Sequence, residues 1–191
     1  MRLFLGIDLP DSVARAAAAI ADDLRSRIAK AAPRTVLRWV PVENLHVTVW
    51  FLGEVRDAEA AALVEALRPA LGLAAFPLRV AGAGLFPRSG APRVVWLSLA
   101  DGRRELIAVY DRLRPRLVAR GFVPEQRPYD PHLTIARVKD VPRQESAAVR
   151  GILEETRADA GQCRVDSVTL FRSRTSPHGA QYERLLRVPL E

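Results

Sequence analysis

The stretch "NLHVTVWFLGEV", residues 44–55, reads as a buried strand interrupted by a histidine and a threonine two positions apart. Buried polar side chains cost free energy unless they find hydrogen-bond partners, so both need a local reason on an apolar strand. The same pattern returns in "PYDPHLTIARV", residues 128–138. On a strand, residues i and i+2 share a face. His46 and Thr48 therefore point together while Val47 and Val49 point the other way. His132 and Thr134 stand in the same relation to Leu133 and Ile135.

The two histidines are 86 residues apart, and the strand-like runs beginning at Phe76 and Cys163 are 87 apart. Around the motifs the order strand, helix, His-x-Thr strand, helix, strand, strand occurs twice, which is the signature of a duplicated unit. Strands are expected at "RLFLGIDL", "TVLRWVP", "LHVTVWFLG", "FPLRVAGAGLF", "PRVVWLSLA", "PHLTIARV", "CRVDSVTLFRS" and "YERLLRVPL". Helical periodicity runs over 11–32, through Val13, Ala17, Ile20, Leu24 and Ile28, with Asp11 as the expected N-cap. It recurs over 57–71, 103–120 and 143–156. Pro69 and Pro115 fall inside these patterns and predict kinks or early ends. No Pro- or Ser-rich linker divides the halves. The expectation is a single bilobal domain over 1–191, α+β in class, with lobes built around 46–49 and 132–135.

The chain has 191 residues, 49% of them hydrophobic and 27% charged, the proportions of an ordinary folded protein. "MRLFLGIDLP" meets Asp8 and Pro10 too soon for a signal peptide or a membrane span. The lone Cys163 excludes an internal disulfide framework, fits a cytoplasmic location and is expected to be buried rather than reactive. A net charge of +7, carried almost wholly by arginine, points to phosphate-bearing partners and to nucleic acid first. Coding bias toward Ala and Arg explains the same composition.

If the halves are related by a pseudo-two-fold axis, the polar pairs combine into one site with two imidazoles and two hydroxyls. Such a set suits attack on a phosphodiester. One neutral histidine takes a proton from the nucleophile and one protonated histidine gives a proton to the leaving oxygen. The threonines can donate to non-bridging oxygens as charge grows there. No metal or cofactor is required, and neither motif brings a further ligand at metal-binding spacing. With three histidines and six threonines in the chain, two such pairs arise by chance with a frequency of roughly 0.003. Packing of two satisfied core networks is the structural alternative.

"RLFLGIDLP", "RWVPVENLHVTVWFLGEV", "GLFPRSGAPRVVWLSL", "RGFVPEQRPYDPHLTIARV" and "VTLFRSRTSPHGAQYERL" resemble, in that order, the two-histidine (2H) phosphoesterase superfamily. Among its branches they look most like the RNA 2′,3′-cyclic phosphodiesterases, historically called 2′-5′ RNA ligases. The resemblance implies a bilobal fold with a pseudo-two-fold duplication, antiparallel sheets framing a central cleft and helices outside. It implies metal-independent hydrolysis of RNA 2′,3′-cyclic phosphate ends to 2′-phosphomonoesters. His46 and His132 take the acid and base roles, read here with His46 as the acid, and Thr48 and Thr134 bind phosphate.

Arg137 matches an arginine that commonly follows the second motif, although a regular strand would turn it away from Thr134. A bulge or a strand end is therefore required there. Arg172 and Arg174 are candidates for RNA backbone phosphates, and Trp39, Phe51 and Tyr182 for base stacking or, alternatively, core packing. His178 is expected on a surface loop. The partner expected is RNA with cyclic phosphate termini, tRNA fragments among the candidates, acted on by a monomer away from membranes. Ligation of RNA ends, cleavage of a small cyclic nucleotide or a 2′-5′ oligonucleotide, and non-catalytic RNA-end binding are the alternatives.

Overall fold

The computed structural model describes residues 1–176 and 179–191, and the side chains of 175–179 lie outside that description. The expectation for His178 therefore falls outside the described residues. Among the described residues nine strands and four helices follow in the order β1 (Arg2–Asp8), α1 (Asp11–Ala31), β2 (Val36–Trp39), β3 (His46–Glu54), α2 (Asp57–Leu67), β4 (Phe76–Phe86), β5 (Val94–Asp101), α3 (Arg103–Val118), β6 (Leu133–Asp140), α4 (Arg143–Glu155), β7 (Asp159–Val165), β8 (Ser167–Ser176) and β9 (Gly179–Pro189). A single 3₁₀ turn, Val42–Asn44, leads into β3. Among the described residues no helix is long and apolar enough to cross a membrane.

Every strand pairing is antiparallel. The strands follow one another as β7-β4-β5-β6-β3-β1-β8-β9, with β2 added beside β6. This curled α+β arrangement carries the duplication expected from the sequence. The order is balanced about the β6–β3 seam, where the motif strands meet. Each half borrows from the other repeat: β4, which follows the first motif, joins the second motif's side, and β8 lies beside β1. The helices cross over similarly. α1 packs on β7 and α4, whereas α3 contacts β3 and α2.

Sequence periodicity accounts for most elements. Along α1 the residues Val13, Ala17, Leu24 and Ile28 are buried, and Ala21 takes the place expected of Ile20, which is only partly covered. Asp11 is the first helical residue rather than the cap. Pro10 holds the cap position without a side-chain bond, and the Asp11 carboxylate accepts from Arg15 Nη2 at 3.1 Å. α2 stops at Leu67, ahead of Pro69, but α3 runs through Pro115 for three more residues. That proline lies in the last turn, and its missing N–H strands only the carbonyl of exposed Asp111, which water can reach. "CRVDSVTLFRS" is two strands rather than one. Asp166 separates them, its carboxylate accepting from Arg187 Nη2 at 2.6 Å and Ser167 Oγ at 3.0 Å. Cys163 on β7 is half-buried, and burial pushes its thiol pKa up.

The seam is thin. Its recorded register is one pair, Val47 with Leu133, the central residues of the two His-x-Thr motifs, both fully buried. A second tie comes from Tyr129, whose hydroxyl donates to the Thr48 carbonyl at 2.9 Å. Its ring stacks on Tyr110, which in turn stacks on Trp50 of β3. Replacing Tyr129 by Phe removes that bond while keeping the stack. The expected result is a loss of about 0.5–1.5 kcal/mol in denaturant unfolding, with faster hydrogen exchange localised to β3 and β6.

Glu145 at the start of α4 ties that helix to the turn after α1. It accepts from the Arg34 backbone N–H at 3.1 Å, Arg34 Nε at 3.1 Å and Thr35 Oγ1 at 2.8 Å. Burial alone would raise its pKa, but the bonds from Thr35 and Arg34 prevail and hold it below the ordinary value. A depressed carboxylate stabilises the fold above its unfolded pKa and loses that contribution as pH falls through the folded one. Glu145→Gln is therefore expected to melt below wild type at neutral pH. The gap should close below about pH 4, as followed by melting temperature against pH.

Candidate active site

Antiparallel pairing of Val47 with Leu133 has a direct geometric consequence. One step along each strand places Thr48 opposite His132, and one step the other way places His46 opposite Thr134. This register sets each histidine across from the threonine of the other motif, with the two histidines on one diagonal of a four-cornered floor. Val47, Val49, Leu133 and Ile135 fill the core behind it.

Both imidazoles are oriented alike. His46 Nδ1 lies 2.7 Å from the carbonyl oxygen of Asn44, and His132 Nδ1 lies 2.7 Å from that of Asp130. A carbonyl only accepts, so Nδ1 carries the hydrogen in each ring and Nε2 is left for chemistry. His46 Nε2 is 3.0 Å from Thr48 Oγ1. The residue two before each histidine is itself anchored. Asn44, 7% exposed, donates through Nδ2 to the Ala180 carbonyl at 2.7 Å, and Asp130 accepts from Arg103 Nη1 at 2.7 Å.

Aromatic walls surround the floor. His46 packs against Phe4, with ring centroids 4.7 Å apart, and meets the edge of Tyr182 at 5.2 Å. His132 is flanked by Phe86 at 5.0 Å and Trp96 at 6.2 Å. Gly6 lies under His46: a Cβ there would meet the Val47 carbonyl at 3.1 Å and the imidazole Cδ2 at 3.3 Å. The His46 pKa lies below its ordinary value: burial lowers it most, the Asn44 carbonyl and the charge of Asp8 raise it in part, and Arg137 lowers it further.

Matching bulges shape the ends of both motif strands. On β3, Leu5 pairs with Trp50 and Gly6 with Thr48, leaving Val49 unopposed. On β6, Val95 pairs with Ala136 and Trp96 with Thr134, leaving Ile135 unopposed. Two consecutive residues are buried at each bulge, and the next residue returns to the motif's face. That residue is Phe51 on β3 and Arg137 on β6, each five after its histidine. The bulge that Arg137 required is present. Phe51 is 46% exposed, its ring 6.0 Å from Phe4. Arg38 pairs with Arg137 on β2. Burial raises the Tyr182 pKa while Arg137, Arg2 and Arg38 pull it down, so three guanidinium groups act on this end of the cleft.

Not every expected residue reaches the floor. Trp39 is partly buried against the core, under the Arg25 guanidinium at 5.3 Å from its ring centroid, and its neighbour Arg38 takes the side facing Arg137. Arg172 lines a hollow with Met1, Asp57 and Leu185 beside α2, and alternation along β8 sets it opposite Phe171. Arg174, two residues on, bonds Glu183 Oε2 at 2.9 Å. Sequence reading missed Phe4, Phe86, Trp96 and Phe171, which look like core strand residues, and missed Asn44 and Tyr129. The recurrence of a polar residue two before each histidine was the available signal for Asn44 and Asp130. Among the described residues no three His, Cys, Asp or Glu side chains cluster at metal-binding distance.

Comparison with known proteins agrees with this geometry. The family model for the 2′-5′ RNA ligase superfamily matches residues 9–177. The chain is 33% identical to the RNA 2′,3′-cyclic phosphodiesterase of Thermotoga maritima, over 100% of this chain and 96% of the relative. It is 34% identical to the protein of that name from Methanothermobacter thermautotrophicus, over 95% of each chain. Among solved structures, E. coli LigT complexed with 3′-AMP superposes with a TM-score of 0.70 at 29% identity, covering 99% of this chain and 97% of LigT. Twin His-x-Thr strands meeting at one seam, and a match running through nearly the whole chain, place this protein in the 2′-5′ RNA ligase superfamily.

Proposed function

We propose that this chain hydrolyses RNA 2′,3′-cyclic phosphate ends to 2′-phosphomonoesters by paired histidine acid–base catalysis, without a metal ion. The observation that carries this reading is the shared anchoring of the imidazoles, each with Nδ1 on the carbonyl of the residue two before it, which leaves both Nε2 atoms for proton transfer. In the reaction, the neutral Nε2 of His132 takes a proton from water as the water oxygen bonds to phosphorus. The P–O3′ bond breaks, and the Nε2 proton of His46 passes to the departing 3′ oxygen. The products are a 2′-phosphate and a free 3′-hydroxyl. Thr48 and Thr134 donate to the non-bridging oxygens, and Arg137 offsets their charge. Phe51, exposed at the end of β3, offers a face on which the terminal base stacks. Relatives named for this activity, and a like-folded protein crystallised with a nucleoside monophosphate, support the reading. Both motifs lie in one chain, so a monomer suffices.

The test is conversion of a short RNA bearing a 2′,3′-cyclic phosphate, with EDTA present. Wild type is expected to yield the 2′-phosphate, with a bell-shaped rate against pH. His46→Ala and His132→Ala should each fall by about 10²- to 10⁴-fold. A product with a 3′-phosphate, or activity that disappears with the chelator, would overturn this mechanism. Adding an RNA with a free 5′-hydroxyl scores ligation in the same reaction.

A further inference from the structure

The two motifs are nearly equivalent in framework, so much of what distinguishes them must lie outside His-x-Thr. The neighbouring strands supply it. β1 pairs Ile7 with Val47 and then Asp8 with His46. β5 pairs Leu97 with Leu133, so the next residue, Ser98, holds beside His132 the place that Asp8 holds beside His46. A carboxylate stands in one half and a neutral hydroxyl in the other. Asp8 is also fixed: Arg184 of β9 clasps it twice, Nε to Oδ2 at 2.5 Å and Nη2 to Oδ1 at 2.9 Å. A bidentate pair of this kind sets direction as well as distance.

We propose that Asp8, held by Arg184, is the positioning residue that breaks the near-symmetry of the site and makes His46 rather than His132 the proton donor. The proposal rests on the hydrolase reading above. The groups facing His46 are Asp8 on β1, Thr48 on its own strand, Arg137 on β6 and Tyr182 on β9, together with the Phe4 and Phe171 rings and the Asn44 carbonyl. Among these described groups Asp8 is the one anion. It opposes both burial and Arg137, which favour neutral imidazole. Arg137 has a separate use on the substrate's phosphate. Burial prevails and holds the His46 pKa below its ordinary value, so Asp8 is the charged group that limits that fall, beside the Asn44 carbonyl, and the cyclic phosphate adds its own negative charge when it arrives.

The sign of the effect follows. An acid is lost as pH rises through its pKa, so removing the Asp8 charge should move the alkaline limb of the rate profile downward and leave the acidic limb in place. The experiment follows the histidine Cε1–H resonances by NMR titration, and kcat/KM against pH, in wild type, Asp8→Asn and Asp8→Glu. With three histidines in the chain the resonances are few. In Asp8→Asn the His46 midpoint should fall by about one unit, His132 should hold, and the alkaline limb should fall with His46. Rates should be about tenfold lower above neutrality and converge in acid. Asp8→Glu should restore both readings.

Movement of the acidic limb instead would make His46 the base and overturn the proposal. A uniform loss at every pH, with the His46 titration unmoved, would reduce Asp8 to a structural partner of Arg184 and overturn it also. If wild type fails to open the cyclic phosphate, the hydrolase reading fails. The NMR arm would then still report whether Asp8 acts on His46.

Discussion

The pairing of Val47 with Leu133 is the constraint on which the site depends. These two side chains are fully buried, and their backbone bridge fixes where every polar group of the motifs can stand. Because strand side chains alternate with a period of two, slipping this register by one residue would turn one motif's histidine and threonine into the core, and slipping it by two would set His46 opposite His132 or Thr48 opposite Thr134. The bridge is short, and the site is secured instead by what crosses it. Tyr129 reaches from the approach to β6 to the backbone of β3, and Asn44 holds the turn before β3 to the β9 strand. Side chains on strands, oriented by buried backbone contacts, are held more narrowly than those on loops.

Around that bridge the halves match in framework and differ in chemistry. Bulges fall at Val49 and Ile135, and carbonyl-bound Nδ1 atoms recur in both. Side chains differ at corresponding points: Gly6 against Trp96 beside the threonines, Asp8 against Ser98 beside the histidines, Phe51 against Arg137 after the bulges. A cyclic phosphate presents different groups on its two sides, a leaving oxygen and a face open to water. A site with an exact two-fold could not tell them apart. The backbone thus supplies paired positions, and on the mechanism proposed above the side chains of the flanking strands would give the pair a direction.

Much of this was legible in the sequence because periodicity reports burial. The alternation about His46 and His132, the α1 stripe and the repeat spacing all express which side faces the core, and these readings agree with the structure. Other features come from pairings distant along the chain. Nothing local in "CRVDSVTLFRS" says that Asp166 divides strands at different places in the sheet order. Trp39 reads equally as a stacking or a core aromatic until β2 is seen pairing with β6, and its ring packs partly buried beside Arg25. Arg172 and Arg174 lie in a polar, turn-rich run that suggests RNA contact, yet strand alternation sends Arg172 toward α2. The aromatic walls escaped because Phe4 and Phe171 belong to hydrophobic strands whose composition does not distinguish core from cleft.

The exchange of strands between the halves bears on how the chain is made. β1 is flanked on one side by β3 and on the other by β8, whose residues follow it by more than 160 positions, as in the pairing of Leu5 with Leu170. During synthesis the first motif leaves the ribosome with the wall that covers Phe4 still untranslated. Contacts so distant in sequence close late and slowly. The emerging N-terminal half therefore exposes the edge of β1 to any strand that can pair with it until β8 and β9 arrive. Neither repeat carries all the strands of its own half of the sheet. A chain truncated before β8 would lose the Asp8 clasp and the Tyr182 wall, although both histidines would still be encoded.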